Sequence, residues 1–183
     1  MYLINLLASL LTALFATSAS AGVLGVATNG FSAKQEIDIA ASPVRVYEAV
    51  VGQVGEWWNP GHTYSGNGNN LSMETRVGGC FCEALPNSGG VEHMRIVYLQ
   101  PGRVVRLSGG LGPLQEHGLN AVLTLSFKAI ESGTHVTAIY NVGGYMANGF
   151  EKIASPVDQV LTEQWSRLKS FVETGKGAPT QAK

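Results

Sequence analysis

From Gln35 to Ile39 polar and apolar residues alternate, which places Ile37 and Ile39 on one face of a half-buried strand. The period then lengthens. Ser42-Pro43 is a helix start, with Ser as the cap and Pro at the first helical position, where it forfeits no hydrogen bond. Val44, Tyr47, Val50 and Val51 form the apolar stripe and Gly52 ends it. Val54, Trp57 and Trp58 predict a second short helix, stopped by Asn59-Pro60. The stretch 61–70 has turn chemistry, centred on Asn67-Gly68.

A run of strands is predicted next, over 79–84, 91–99, 104–107, 121–129 and 134–142, all rich in β-formers. Short loops at Pro86-Asn87-Ser88-Gly89, Gln100-Pro101-Gly102 and Glu131-Ser132-Gly133 make successive strands antiparallel. The longer link 109–118 contains Pro113 and reads as a working loop. A final amphipathic helix is predicted from a Ser155 cap and Pro156 to Gly175, with Val157, Val160, Leu161, Trp165, Leu168, Phe171 and Val172 as its apolar stripe. Residues 176–183 are expected to form a flexible tail.

The N-terminal pattern differs. No charged side chain precedes Lys34, residues 3–15 are almost wholly apolar, and Ala19-Ser20-Ala21 offers small residues where a signal peptidase reads. Residues 1–21 are therefore expected to be a cleaved signal peptide, and the protein to be exported (periplasmic or secreted). The rival readings are an uncleaved membrane anchor and a start assigned too early. No stable membrane insertion of the mature domain is expected.

At 183 residues the chain suits one domain. Only 14% of residues are charged and the net charge is −1, which leaves no electrostatic footprint for nucleic acid. The 23 glycines follow no three-residue period, so collagen is excluded. Gly66-Asn67-Gly68 lacks the third glycine and the strand-to-helix context of a dinucleotide site. There is no Gly-x-Ser-x-Gly elbow, Ser-His-Asp order or phosphate loop. No cofactor is expected.

Five peptides in order carry a resemblance: Ala41-Ser42-Pro43, Trp57-Trp58-Asn59-Pro60, Gly78-Gly79-Cys80-Phe81-Cys82-Glu83, Val91-Glu92-His93-Met94 and Gly112-Pro113-Leu114-Gln115. Residues 33–175 resemble the SRPBCC (START-related) superfamily, in its polyketide-cyclase and chaperone-ATPase-activator-like branch. The resemblance implies one domain of α+β class with a helix-grip fold. In that fold a curved antiparallel sheet wraps around a long C-terminal helix, with two short helices after the first strand and an apolar cavity between sheet and helix. It implies binding or carriage of a hydrophobic small molecule, lipid- or polyketide-like. The alternatives it implies are a cyclase- or dehydratase-like enzyme and a protein-interaction module.

A two-residue turn at Asn87-Ser88 would pair Phe81 with Met94, Glu83 with Glu92 and Cys82 with His93. Phe81, Glu83, Glu92, Met94, Ile96 and Tyr98 would then share the cavity face, opposite Cys80, Cys82, His93, Arg95 and Val97. Two carboxylates facing each other in apolar surroundings would raise at least one carboxyl pKa, so Glu83 and Glu92 are the candidate acid-base residues. The bland alternative is a pair of solvated strand-end glutamates. Trp57, Trp58, His62, Phe81, Met94, Tyr140 and Trp165 are the candidate ligand-binding residues, against plain core packing. Cys80, Cys82 and His93 lack a fourth ligand, with the other histidines scattered at 62, 117 and 135, so no metal is expected. Free cysteines filling small spaces are expected in preference to a disulfide between residues two apart.

Overall fold

The computed structural model describes residues 20–177. The expected leader falls almost wholly outside them; of the expected tail, Lys176 and Gly177 are described, and Ser170 Oγ donates to the Lys176 carbonyl at 3.0 Å. Eight antiparallel strands form one curved sheet: β1 (Ser20–Ala27), β2 (Gly30–Ile39), β3 (Leu71–Met73), β4 (Cys80–Leu85), β5 (Gly89–Gln100), β6 (Val104–Ser108), β7 (Gly118–Ile130) and β8 (Gly133–Tyr145). Their spatial order is β1-β2-β8-β7-β6-β5-β4-β3, so the N-terminal strands pair with the last one. Helices α1 (Pro43–Gly52) and α2 (Val54–Trp57) follow β2, and the long α3 (Glu151–Thr174) crosses the concave face. This is the α+β helix-grip architecture.

The period-two pattern decides what faces α3. Along β7, Ala121, Leu123, Leu125 and Phe127 point inward; along β8, Val136, Ala138, Tyr140 and Val142 do the same. α1 begins as its sequence dictates, with Ser42 Oγ accepting from the Arg45 amide at 3.3 Å and Pro43 in the first position. α3 ends on Gly175 at φ 75°, whose amide reaches the Phe171 carbonyl at 2.8 Å.

Its start differs from the expectation. Pro156 lies inside the helix, and a further turn precedes Ser155. Fully buried Phe150 and Ala154 hold that turn, and the Phe150 carbonyl accepts from the Ile153 and Ala154 amides. Packing thus overrides the local helix-start signal.

The sheet also extends beyond the expected strands, by β1 and β3 at its two edges. β1 exposes Leu24 and Val26 and carries a bulge between Val23 and Gly25, so no alternation marks it in the sequence. β3 spans only three residues.

Candidate functional site

A cavity of about 410 Å³ opens between the first half of α3, the loop after α2, strands β4 and β5, and a short 3₁₀ turn at Gly112–Glu116. Its walls are mostly apolar. Ile153, Pro156, Val157, Val160 and Leu161 come from α3, Trp58 and Phe81 from below, and Leu111 and Pro113 from the rim. The extra turn of α3 is what brings Ile153 to this wall.

The 109–118 link, expected to be a working loop, contributes Leu111, Gly112, Pro113 and Glu116 to the cavity rim. Tyr140, buried in β8, anchors it by accepting from the Leu111 amide at 3.0 Å, and burial pushes the phenol pKa up. Across the mouth, Tyr64 Oη donates to the Gly112 carbonyl at 3.2 Å, tying the two rims together. On the α2 side, Asn59 and His62 both reach Glu163 of α3; His62 Nε2 lies 3.2 Å from its carboxylate. Trp58 Nε1 donates to the His62 carbonyl at 3.2 Å, which fixes this corner.

The polar centre of the wall is a buried pair. His93 Nε2 lies 2.9 Å from Glu83 Oε2, and Glu83 is only 1% exposed. The carboxylate also accepts from the Tyr64 amide at 3.0 Å and from the Ser65 amide at 2.5 Å. Burial opposes the Glu83 charge, but the hydrogen bonds from Ser65, Tyr64 and His93 outweigh it and hold the carboxyl below its ordinary value. Burial lowers the His93 pKa as well, against the pull of Glu83. The result is a charged carboxylate holding a neutral imidazole. The His93 ring sits 5.1 Å from Phe81 and 5.9 Å from Tyr64, centroid to centroid.

This corrects the expected cross-strand pairing of Glu83 with Glu92. Phe81 does face Met94, but Leu85 pairs with Gly89, so three residues form the turn, with Asn87 and Ser88 at φ 57° and 61°. That shifts the register by one near the turn, and a bulge at His93 restores it. Glu83 therefore pairs with Val91, while Glu92 pairs with Cys82 on the outer face and salt-bridges Arg95. With no second carboxylate beside it and several donors around it, Glu83 has a lowered pKa, not the raised one expected. The bulge also turns His93 inward beside Met94. A second bulge, at Val97, turns Tyr98 outward instead of to the cavity face.

Of the expected ligand-binding residues, Trp58, His62 and Phe81 line the cavity. Trp57, Met94, Tyr140 and Trp165 do not: they are buried in the core. Trp57 Nε1 donates to the Ala49 carbonyl at 2.9 Å and Trp165 Nε1 to Gln35 Oε1 at 3.2 Å. Tyr64, one of the aromatics expected at the cavity wall and mouth, lines the cavity, whereas His93 is a site residue that the alternation places on the opposite face. The available signal was Glu83 itself, since a glutamate on an inward strand position demands a buried partner.

Cys80 and Cys82 are joined in a disulfide with their Cα atoms 5.4 Å apart, instead of standing as free thiols. Both lie on the outer face of β4, where residues two apart project the same way. Among the described residues no cluster of three or more His, Cys, Asp or Glu could hold a metal.

No protein-family model and no curated protein matches the sequence. Solved structures do resemble the fold. A conserved protein of unknown function from Enterococcus faecalis is 14% identical, with a TM-score of 0.63 over 92% of this chain and 84% of that one. CalU16 from Micromonospora echinospora is 16% identical, with a TM-score of 0.60 over 89% and 88%. The Aha1 dimer from Colwellia psychrerythraea is 20% identical, with a TM-score of 0.58 over 80% and 98%. These likenesses establish the helix-grip fold.

Proposed function

We propose that the protein binds or carries a hydrophobic small molecule, lipid- or polyketide-like, between the sheet and α3, as the resemblance to the polyketide-cyclase-like branch of the SRPBCC superfamily implies. The observation that carries this reading is the cavity: about 410 Å³ of space walled by aliphatic and aromatic side chains with few polar groups. Burying an apolar molecule there gains on the order of 25 cal/mol per Å² removed from water. Native mass spectrometry of the purified protein is the test, expected to show a co-purifying apolar compound. A chain without one, which also fails to enhance the fluorescence of an apolar dye, would refute the reading.

We also propose export, with the mature chain starting at Gly22. The apolar leader ending in Ala19-Ser20-Ala21 supports it, and so does the Cys80–Cys82 disulfide, since such bonds persist in oxidising compartments. Cleavage there leaves most of β1 paired with β2. No helix among the described residues is long and apolar enough to cross a membrane. Intact mass of the chain from its native host is expected to begin at Gly22, and a mass including Met1 would sink the proposal.

A further inference from the structure

Glu83 does more than neutralise a neighbour. Its oxygens accept from the Tyr64 and Ser65 amides and from His93 Nε2. A carboxylate offers acceptors only, so the proton of a neutral His93 must sit on Nε2. Nδ1 is then a bare lone pair. It has no hydrogen-bond partner among the described residues, and His93 is part of the cavity wall. Nδ1 is not sealed from solvent, so an occupant that covers it must donate a proton to it or leave a buried acceptor unpaired, which is costly.

We propose that His93 is the polar anchor of the cavity, with its tautomer fixed by Glu83, and that the ligand is an apolar molecule bearing a hydroxyl, as in a phenol or enol, whose O–H donates to Nδ1. This deepens the cavity-binding reading and rests on it. The apolar wall from α3 holds the body of the molecule and places no competing charge beside the anchor. Aromatic ligand rings suit the site further, because Phe81 and Tyr64 flank the imidazole and Trp58 packs against Phe81.

The test uses 1-naphthol and 1-methoxynaphthalene, in which a methyl replaces the donor hydrogen, with 1-ethylnaphthalene as the control for the added bulk, titrated against the full chain with tryptophan fluorescence as the readout. Naphthol is expected to bind about tenfold more tightly, the range of one buried hydrogen bond. In Glu83→Gln, with the amide oxygen kept at the Oε1 position for the Ser65 amide, the NH₂ takes the Oε2 position shared by the Tyr64 amide and His93, so His93 Nε2 must accept from it and carry its proton on Nδ1. The naphthol preference should then vanish. Imidazole ¹⁵N NMR of the unaltered protein provides a check independent of any variant, with the Nε2–H tautomer expected. Equal binding of both probes, or an Nδ1–H tautomer, overturns the anchor while leaving the apolar-cavity reading standing. Binding of neither probe overturns both.

Discussion

At the scale of single residues, Glu83 and His93 combine stability with chemistry. A buried carboxylate survives only with donors around it, and three surround this one, from Tyr64, Ser65 and His93. Glu83→Ala should therefore cost about 3–5 kcal/mol in urea denaturation, because it strands His93 and two backbone amides at once. A loss under about 1 kcal/mol would contradict that account. Acid acts on both groups in the same sense. Burial depresses the His93 pKa, so protonation costs more in the folded chain, and stability complete above about 6.5 is lost as pH falls through the lower folded value. Glu83, also depressed, adds a second loss that begins below about 4.3. The groups facing His93 are Glu83 and Tyr64, with His62 and Glu116 on the same cavity. Stability should decline below pH 6.5 in the unaltered protein, and His93→Gln should remove most of that first step. An identical pH profile in the variant would assign the step to another histidine.

At the scale of elements, α3 and the β4–β5 hairpin show what a linear pattern reveals and what it hides. The stripe Leu161, Trp165, Leu168 and Phe171 is legible because each residue is buried at helical spacing. Trp165 packs 6.0 Å from Trp57, centroid to centroid, and bonds Gln35 of β2, so Trp165→Ala should cost about 3–5 kcal/mol in denaturant melts. A cost below about 1 kcal/mol would mean the tryptophan is not part of the core. The hairpin is legible only in part. Phe81 opposite Met94 follows from its approximate length, but a three-residue turn and a compensating bulge cannot be read from alternation, because each shifts parity by one. Those two shifts decide that His93, not Glu92, accompanies Glu83. The start of α3 was hidden for a related reason: Ser155-Pro156 is a strong local signal, and only the burial of Phe150 and Ala154 overrules it.

At the scale of the molecule, the order of strands and helices was readable, since strand pairing by short loops leaves few topologies. Both sheet edges were not, because β1 has a bulge and exposed apolar residues and β3 is three residues long. The cavity could be anticipated only through family resemblance, because its wall draws on segments far apart in the chain. The disulfide belongs to this scale too, since it asks whether the fold depends on a cross-link. Cys80 and Cys82 are two positions apart on one strand, so the bond closes a very short loop in the unfolded chain. The entropy removed by a three-residue loop corresponds to about 1.5 kcal/mol at 25 °C, small beside a large core truncation. The concave face is instead held by apolar burial along β7, β8 and α3, whereas the cross-link lies on the outer face of β4, one strand from the sheet edge. Replacing both cysteines with alanine should therefore lower stability by no more than about 1.5 kcal/mol and leave a single cooperative transition in urea. Binding of an apolar dye should persist, because both sulfur atoms lie on the outer face of β4 while Phe81 and Glu83 face inward. A loss of several kcal/mol, or of cooperative unfolding, would show instead that the disulfide holds β4 in place and that the cavity wall depends on it.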